Sequence, residues 1–93
     1  METPESVRQW ADATFGPAEI ATQVDRAQEE LRELIHAVYS DYSDEQIAME
    51  AADVVICLYR VIAALSPTAI EDKMRINRAR TWNVTKEGVA QHV

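Results

Sequence analysis

The chain has 93 residues, which is enough for one small domain with a limited hydrophobic core. Its formal net charge of −7 disfavours a nucleic-acid partner and favours cations, or a ligand that carries cations. The longest apolar run, residues 54–65, is too short to cross a membrane, the N-terminus shows no apolar signal segment, and a single cysteine excludes a disulfide framework. We therefore expect a cytoplasmic protein with neither a membrane nor a nucleic acid as its partner.

The first half of the chain predicts two helices. A helix over residues 4–15 follows Thr3 as its N-cap, has Pro4 at its first position and ends at Gly16. A second helix over residues 18–39 repeats apolar residues at intervals of three and four through about six turns. Both patterns are amphipathic, so each helix is expected to bury one face.

The second half predicts two further helices. A capping box of Ser43 and Gln46 starts a third helix over residues 44–65, and Ser66 caps a fourth over residues 67–80. The third helix is apolar nearly all round, and such a helix must be buried all round. A single chain of this size does not achieve that burial, so we expect an oligomer that uses this helix.

Residues 82–93 are predicted to form an extended tail, because the helical pattern dissolves there. The whole of residues 1–93 is predicted to be one all-α domain. Its expected architecture is an antiparallel bundle of about four helices, completed by oligomerisation.

Acidic residues are grouped on the second and third helices. On the second, Glu30 and Glu33 share a face and Glu29 lies on an adjoining stripe; on the third, Glu50 and Asp53 share a face. If the helices pack antiparallel, these carboxylates converge, and two like charges about 4 Å apart repel by roughly 4 kcal/mol at an effective dielectric near 20. Oxygen ligands at this density favour Mg²⁺ or Mn²⁺ over zinc, whereas isolated glutamates on amphipathic helices are usually a solvated face.

The acidic groups form the patterns EExxE over residues 29–33 and ExxD over residues 50–53, with sixteen residues between them. This combination resembles the signature of the MazG-like all-α nucleoside triphosphate pyrophosphohydrolases. The segment KMRINRARTW over residues 73–82 is similar to the KxxxNxxR segment of that superfamily. The segment QWADATFG over residues 9–16 and the C-terminal Trp, Gly and His pattern are similar to a phage and bacterial branch described as dATP/dGTP diphosphohydrolases.

The resemblance implies a Mg²⁺-dependent enzyme, with Mn²⁺ as a substitute, that cleaves the α–β bond of a (d)NTP. The expected substrate is dGTP or dATP, and the expected products are a nucleoside monophosphate and pyrophosphate. By the same resemblance, four carboxylates hold the metal: Glu30, Glu33, Glu50 and Asp53. A metal-activated water attacks the phosphorus, and Glu29 is a further ligand or a base that orients this water. The catalytic residues are thus expected to be Glu29, Glu30 and Glu33.

Two sets of residues are candidates for substrate binding. Lys73, Asn77 and Arg80 share one stripe of the fourth helix, and the resemblance assigns them to the phosphates and sugar, since Arg binds phosphate through paired hydrogen bonds. The candidates to hold the purine base by stacking are Trp10, Phe15 and Trp82, and the resemblance of the N-terminal segment favours Trp10 and Phe15. Because aromatic residues in short helical chains usually belong to the core, at least two of the three Trp and Phe residues are expected to be packing residues.

Three other interpretations are open on the sequence. The same chemistry on another nucleotide is one, since nothing in the spacing identifies the base. A non-catalytic acidic helical module, acting as a nucleotide sensor or an antitoxin-like partner, keeps the bundle without needing a metal. A ferritin-like redox bundle is suggested by the ExxH spacing of Glu33 and His36, but it is disfavoured because a second ExxH is missing, and His36 is then a helix-surface residue.

Overall fold

The computed structural model describes residues 1–84, 88 and 90–92, which form four helices and two short strands. The helices are α1, Pro4–Phe15; α2, Ile20–Val38; α3, Asp44–Leu65; and α4, Ala69–Ala79. The strands are β1, Trp82–Val84, and β2, Ala90–His92. The predicted all-α class is confirmed. The predictions that fall on residues 85–87, 89 and 93 of the tail lie outside the described residues.

Local hydrogen bonds set the starts of two helices. The Thr3 hydroxyl accepts a hydrogen bond from the Ser6 N–H at 3.1 Å, and the Ser6 hydroxyl accepts one from the Thr3 N–H at 2.8 Å. Ser43 and Gln46 make the equivalent pair at the start of α3, at 2.9 and 3.2 Å. These bonds satisfy N–H groups that have no partner inside the helix. The predicted N-caps Thr3 and Ser43 are confirmed, and α2 begins and ends within two residues of its predicted bounds.

The fourth helix begins later than predicted, because Ser66 belongs to the preceding helix. The Ser66 N–H donates to the Ile62 carbonyl oxygen at 2.8 Å, so Ser66 ends α3. Thr68 is the residue before α4, and its hydroxyl donates to the Asp72 carboxylate at 2.9 Å. The predicted N-cap at Ser66 is therefore wrong, since Ser66 is the C-cap of α3 and Thr68 is the residue at which α4 is capped.

The central helix is α3, which packs against both α2 and α1. The connection between α2 and α3 is short, so the two helices run antiparallel. The buried apolar side chains are small, and small residues at a contact let helices approach closely; they are Ala11, Ala27, Ala37, Cys57 and Ala63. Within the described residues, α4 makes no extensive packing contact with the other helices.

Many large apolar side chains are exposed on the single chain. On α3, Leu58 is 41% exposed and Leu65 is 67% exposed. Other exposed apolar side chains on α2 and α3 are Val24, Leu31, Ile35, Val38, Val55 and Ile56. Large apolar surfaces are typical of sites that bind another protein. They are what we expect if α3 needs a partner, while the oligomer itself stays a prediction. No helix in the described part of the chain is long and apolar enough to span a membrane.

Arg60 connects α3 to the end of α1. Its side chain is 8% exposed; it forms an ion pair with the Asp12 carboxylate at 3.0 Å and donates to the Gly16 carbonyl oxygen at 2.9 Å. Arg8 reaches the same Asp12 at 3.4 Å and the Ala63 carbonyl oxygen at 3.3 Å. Since charged side chains are rarely buried without partners, these bonds explain how α3 tolerates an arginine on its packed face.

The predicted tail contains a strand pair that the sequence analysis did not predict. β1 and β2 are antiparallel, with Trp82 opposite His92 and Val84 opposite Ala90. The Trp82 indole N–H donates to the Asn77 carbonyl oxygen at 2.8 Å, which holds the start of β1 against the end of α4. Three-residue strands of this composition carry too little alternation to be recognised in sequence.

We expect Arg60→Met to lower the free energy of unfolding by about 2 kcal/mol, because hydrogen bonds to charged groups contribute about 1.5–3 kcal/mol each and Asp12 would lose its main partner. The matched control is Arg8→Met, whose side chain is 41% exposed. It is expected to cost less than about 1 kcal/mol, as surface ion pairs do. Urea unfolding followed by circular dichroism measures both, and equal losses in the two variants would contradict the structural role of Arg60.

Candidate metal and nucleotide site

Three carboxylates converge between α2 and α3. Glu30, Glu50 and Asp53 each offer an oxygen, and these oxygens lie within 4.8 Å of one another. The antiparallel helix pair explains this, since Glu30 lies near the middle of α2 and the other two lie one helical turn apart on α3. We call these three residues the carboxylate triad. It contains three of the four predicted metal ligands.

The surroundings of the triad favour a bound cation. Burial raises the pKa of Glu30 above its ordinary value, and a hydrogen bond with Glu33 and the negative charges of Glu33 and Asp53 raise this pKa further. Arg26 counteracts this effect only in part, from 3.8 Å. One carboxylate oxygen of Glu50, Oε2, is buried and has no hydrogen-bond partner in the part of the chain that the structure describes. A hard divalent cation takes all-oxygen ligands, so the residues present fit Mg²⁺ or Mn²⁺.

The other two predicted acidic residues lie beside the triad. Glu33 is exposed and contacts Glu30, but it does not belong to the group of three. Glu29 is also exposed. Their roles as a fourth ligand and as a base therefore stay predictions.

A first cavity of about 480 Å³ lies on one side of the triad, between α1, α2 and α3. Trp10 and Phe15 both line it, with ring centroids 5.5 Å apart in an edge-to-face arrangement. They are 60% and 69% exposed, and Trp82 is 37% exposed, so the expectation that two of these three aromatic residues pack in the core is wrong for this chain. The reason is that α1 turns its aromatic side chains toward the cavity and packs through Ala11.

Polar residues of the first cavity were missed by the sequence analysis. Gln23 is only 5% exposed, yet it lines the cavity together with Arg26 and Arg60. A glutamine on the apolar face of α2 was the available signal. The buried Cys57 also lines the cavity, and burial raises the pKa of its thiol, so the thiol is protonated at neutral pH and is no nucleophile.

A second cavity of about 450 Å³ lies on the other side of the triad. It is lined by Arg32, Glu33, His36, Tyr42 and Glu50. The His36 and Tyr42 rings are in edge-to-face contact, with centroids 5.8 Å apart. His36 is exposed, as a helix-surface residue would be, but it also faces this cavity.

The basic stripe of α4 is not brought to the triad within this chain. Neither cavity is lined by Lys73, Asn77 or Arg80. The Asn77 side-chain oxygen is buried and has no hydrogen-bond partner among the described residues. The predicted contacts of this stripe with phosphate and sugar thus stay predictions, and they require a different neighbour for α4.

Comparisons with known proteins agree with this fold and site. No family model matches the chain. A curated relative, the dATP/dGTP diphosphohydrolase of Salmonella phage PMBT28, is 38% identical over 87 residues, which is 90% of this chain, although the chain spans only 28% of that relative's length. A solved structure, the MazG-like pyrophosphohydrolase of cyanophage S-2L bound to dGDP and three catalytic Mn²⁺ ions per active site, superposes with a TM-score of 0.72. That likeness covers 97% of this chain and 88% of the other, at 27% identity. These likenesses in sequence and in fold support the assignment of the chain to the MazG-like family.

Proposed function

We propose that this chain is a Mg²⁺-dependent nucleotide pyrophosphohydrolase that cleaves the α–β bond of a (d)NTP. The observation that carries the proposal is the carboxylate triad between the two cavities, with the raised pKa of Glu30 and the oxygen of Glu50 that no described residue hydrogen-bonds. It is supported by the likeness to a pyrophosphohydrolase solved with Mn²⁺ and to a phage diphosphohydrolase. Mn²⁺ is expected to substitute for Mg²⁺, because both prefer oxygen ligands.

The reaction is a hydrolysis. The water oxygen forms a bond to the α phosphorus, the bond between that phosphorus and the bridging oxygen breaks, and pyrophosphate leaves with the bridging oxygen. A bound metal would lower the pKa of its water and neutralise the phosphate charges. Glu30, Glu50 and Asp53 would hold it, with Glu33 as a fourth ligand, and Glu29 would orient the water and take its proton on the way to solvent.

The nucleoside occupies the first cavity in this proposal. Trp10 and Phe15 supply exposed aromatic faces for stacking, and cavities of this volume suit a small-molecule ligand. The Gln23 amide offers one donor group and one acceptor to the edge of a base. A purine, as in dGTP or dATP, is the expected base, in agreement with the name of the phage relative.

The proposed enzyme is a homodimer or homotetramer, and it acts in the cytoplasm, that of the host if a phage encodes it. The exposed apolar residues of α3 are the proposed interface. A second copy would also supply what the single chain lacks, by bringing Lys73, Asn77 and Arg80 of its α4 to the phosphates. The proposed interface rests on the exposure of Leu58 and Leu65. The proposed contribution of α4 from a second copy rests on the absence, within the described residues, of extensive packing by α4.

We expect the purified protein with Mg²⁺ to convert a purine dNTP into monophosphate and pyrophosphate, with no diphosphate. Ion-exchange separation of the products from each common dNTP and NTP measures this and ranks the bases. Glu50→Gln is expected to lower kcat/KM more than about 100-fold, since even groups that merely orient a metal ligand account for 10–100-fold. The control is Glu45→Gln, the same change at an exposed position of the same helix. If wild-type protein consumes no nucleotide with either metal, the chain is a non-catalytic module.

Glu30→Gln is expected to stabilise the metal-free protein at neutral pH and to remove its stabilisation by Mn²⁺. The ordinary pKa of 4.5 is raised in the folded state, so folding favours the protonated form of Glu30. Its stabilising contribution is full below pH 4.5 and is lost as the pH rises through the raised pKa. Thermal unfolding in EDTA and in Mn²⁺, between pH 4 and 8, measures both effects. A variant that is less stable than wild type in EDTA at pH 7 would contradict this account.

Leu58→Glu is expected to dissociate the oligomer, because it places a charge in the apolar surface of α3. Light scattering after size-exclusion chromatography measures the mass, with Gln9→Glu, at an exposed position of α1, as the control. A wild-type protein that elutes as a monomer at micromolar concentration would remove the proposed interface.

A further inference from the structure

We propose that the second cavity binds the pyrophosphate released by the reaction, with Arg32 and His36 as its ligands from this chain. This inference rests on the proposed function, which it deepens by assigning opposite sides of the triad to the two ends of the substrate. None of the comparisons assigns a role to Arg32, His36 or this cavity.

The order of side chains along α2 carries the first step. Gln23 and Arg26 line the first cavity, Glu30 belongs to the triad, and His36 lines the second cavity. At about 1.5 Å per residue, Gln23 lies about 10 Å before Glu30, and His36 lies about 9 Å beyond it. A nucleoside triphosphate has the same linear order of base, α phosphate and pyrophosphate.

The opposite helix repeats this order in reverse. On α3, Cys57 lines the first cavity, Asp53 belongs to the triad, and Glu50 belongs both to the triad and to the wall of the second cavity. The second cavity therefore opens directly onto the carboxylates. If the α phosphate is held at the triad with its nucleoside in the first cavity, the departing group lies on the side of Glu50.

The lining of the second cavity suits an anion in the presence of a divalent cation. Two carboxylates, Glu33 and Glu50, face it, and alone they would repel pyrophosphate. Arg32 supplies a permanent positive charge and donors in a geometry that matches phosphate oxygens. The His36 ring and the Tyr42 hydroxyl are further donors. By contrast, the first cavity contains the aromatic pair and several apolar residues, and its two arginines, Arg26 and Arg60, already form ion pairs with Glu30 and Asp12.

Arg32 is available for this role. Glu29 and Glu33 are close to it in sequence, yet Arg32 forms no ion pair or hydrogen bond with any group in the described part of the chain. Arg26, which lies earlier on the same helix, forms an ion pair with Glu30 instead. An arginine that merely balanced the local negative charge would be expected to make such a pair.

The test compares the two reaction products, pyrophosphate and the nucleoside monophosphate, as inhibitors. For Arg32→Gln and His36→Gln, the inhibition constant of pyrophosphate with Mg²⁺ is expected to rise about tenfold, the loss of roughly one charge-assisted hydrogen bond. The inhibition constant of the nucleoside monophosphate is expected to stay within about twofold of wild type, because that product occupies the first cavity. The control is Arg78→Gln, an equal change of charge at an exposed position of α4, which should alter neither constant.

Calorimetric titration of pyrophosphate into the Mg²⁺-loaded protein gives a second readout, which needs no turnover. Weaker pyrophosphate binding to Arg32→Gln than to Arg78→Gln supports the subsite. Unchanged pyrophosphate binding, or an equal loss for both products, overturns it even when wild-type protein hydrolyses nucleotides. A wild-type protein without hydrolysis defeats the proposed function instead, and the titration then decides the subsite separately.

Discussion

The rest of the site depends on the close approach of like charges between α2 and α3. Two carboxylates about 4 Å apart repel by roughly 4 kcal/mol at an effective dielectric near 20, and the triad places three within a comparable distance. The helices nevertheless pack there, because their contact is made of small residues such as Ala27 and Cys57. The fold thus holds an unfavourable charge arrangement in place, and a divalent cation is the simplest group that relieves it.

A second constraint is the buried Arg60, which positions α1. Its bonds to Asp12 and to the Gly16 carbonyl oxygen fix the end of α1 against α3. This placement builds the wall of the first cavity, since Trp10 and Phe15 lie on the same helix as Asp12. Arg60 lines that cavity as well. The interaction that stabilises the packing of α1 is therefore also the one that shapes the proposed nucleoside pocket.

Apart from the cap at Ser66, the sequence predicted the features that depend on neighbouring residues and on helix periodicity, and it missed those that depend on how three helices pack together. The Thr3 and Ser43 caps are bonds between residues three apart, and the convergence of Glu30 with Glu50 and Asp53 follows from helix periodicity plus one short turn. Gln23 was missed because its proposed role depends on a cavity that is lined by three helices. The basic stripe on α4 could be predicted, but the element that packs against it could not. Periodicity shows which residues share a face of a helix, and it does not show which other element that face contacts.

An antiparallel pair of helices gives such a site two chemically different sides at little structural cost. The carboxylates lie in the middle of both helices, with α1 on one side and the α2–α3 turn on the other. Different segments of the chain therefore line the two sides. Here one side has aromatic residues and a buried amide, and the other has an imidazole, a phenol and a guanidinium that is unpaired among the described residues. In the proposed function, a ligand with an aromatic end and an anionic end is expected to bind in one direction. That direction, together with metal affinity, would place the α–β bond at the triad.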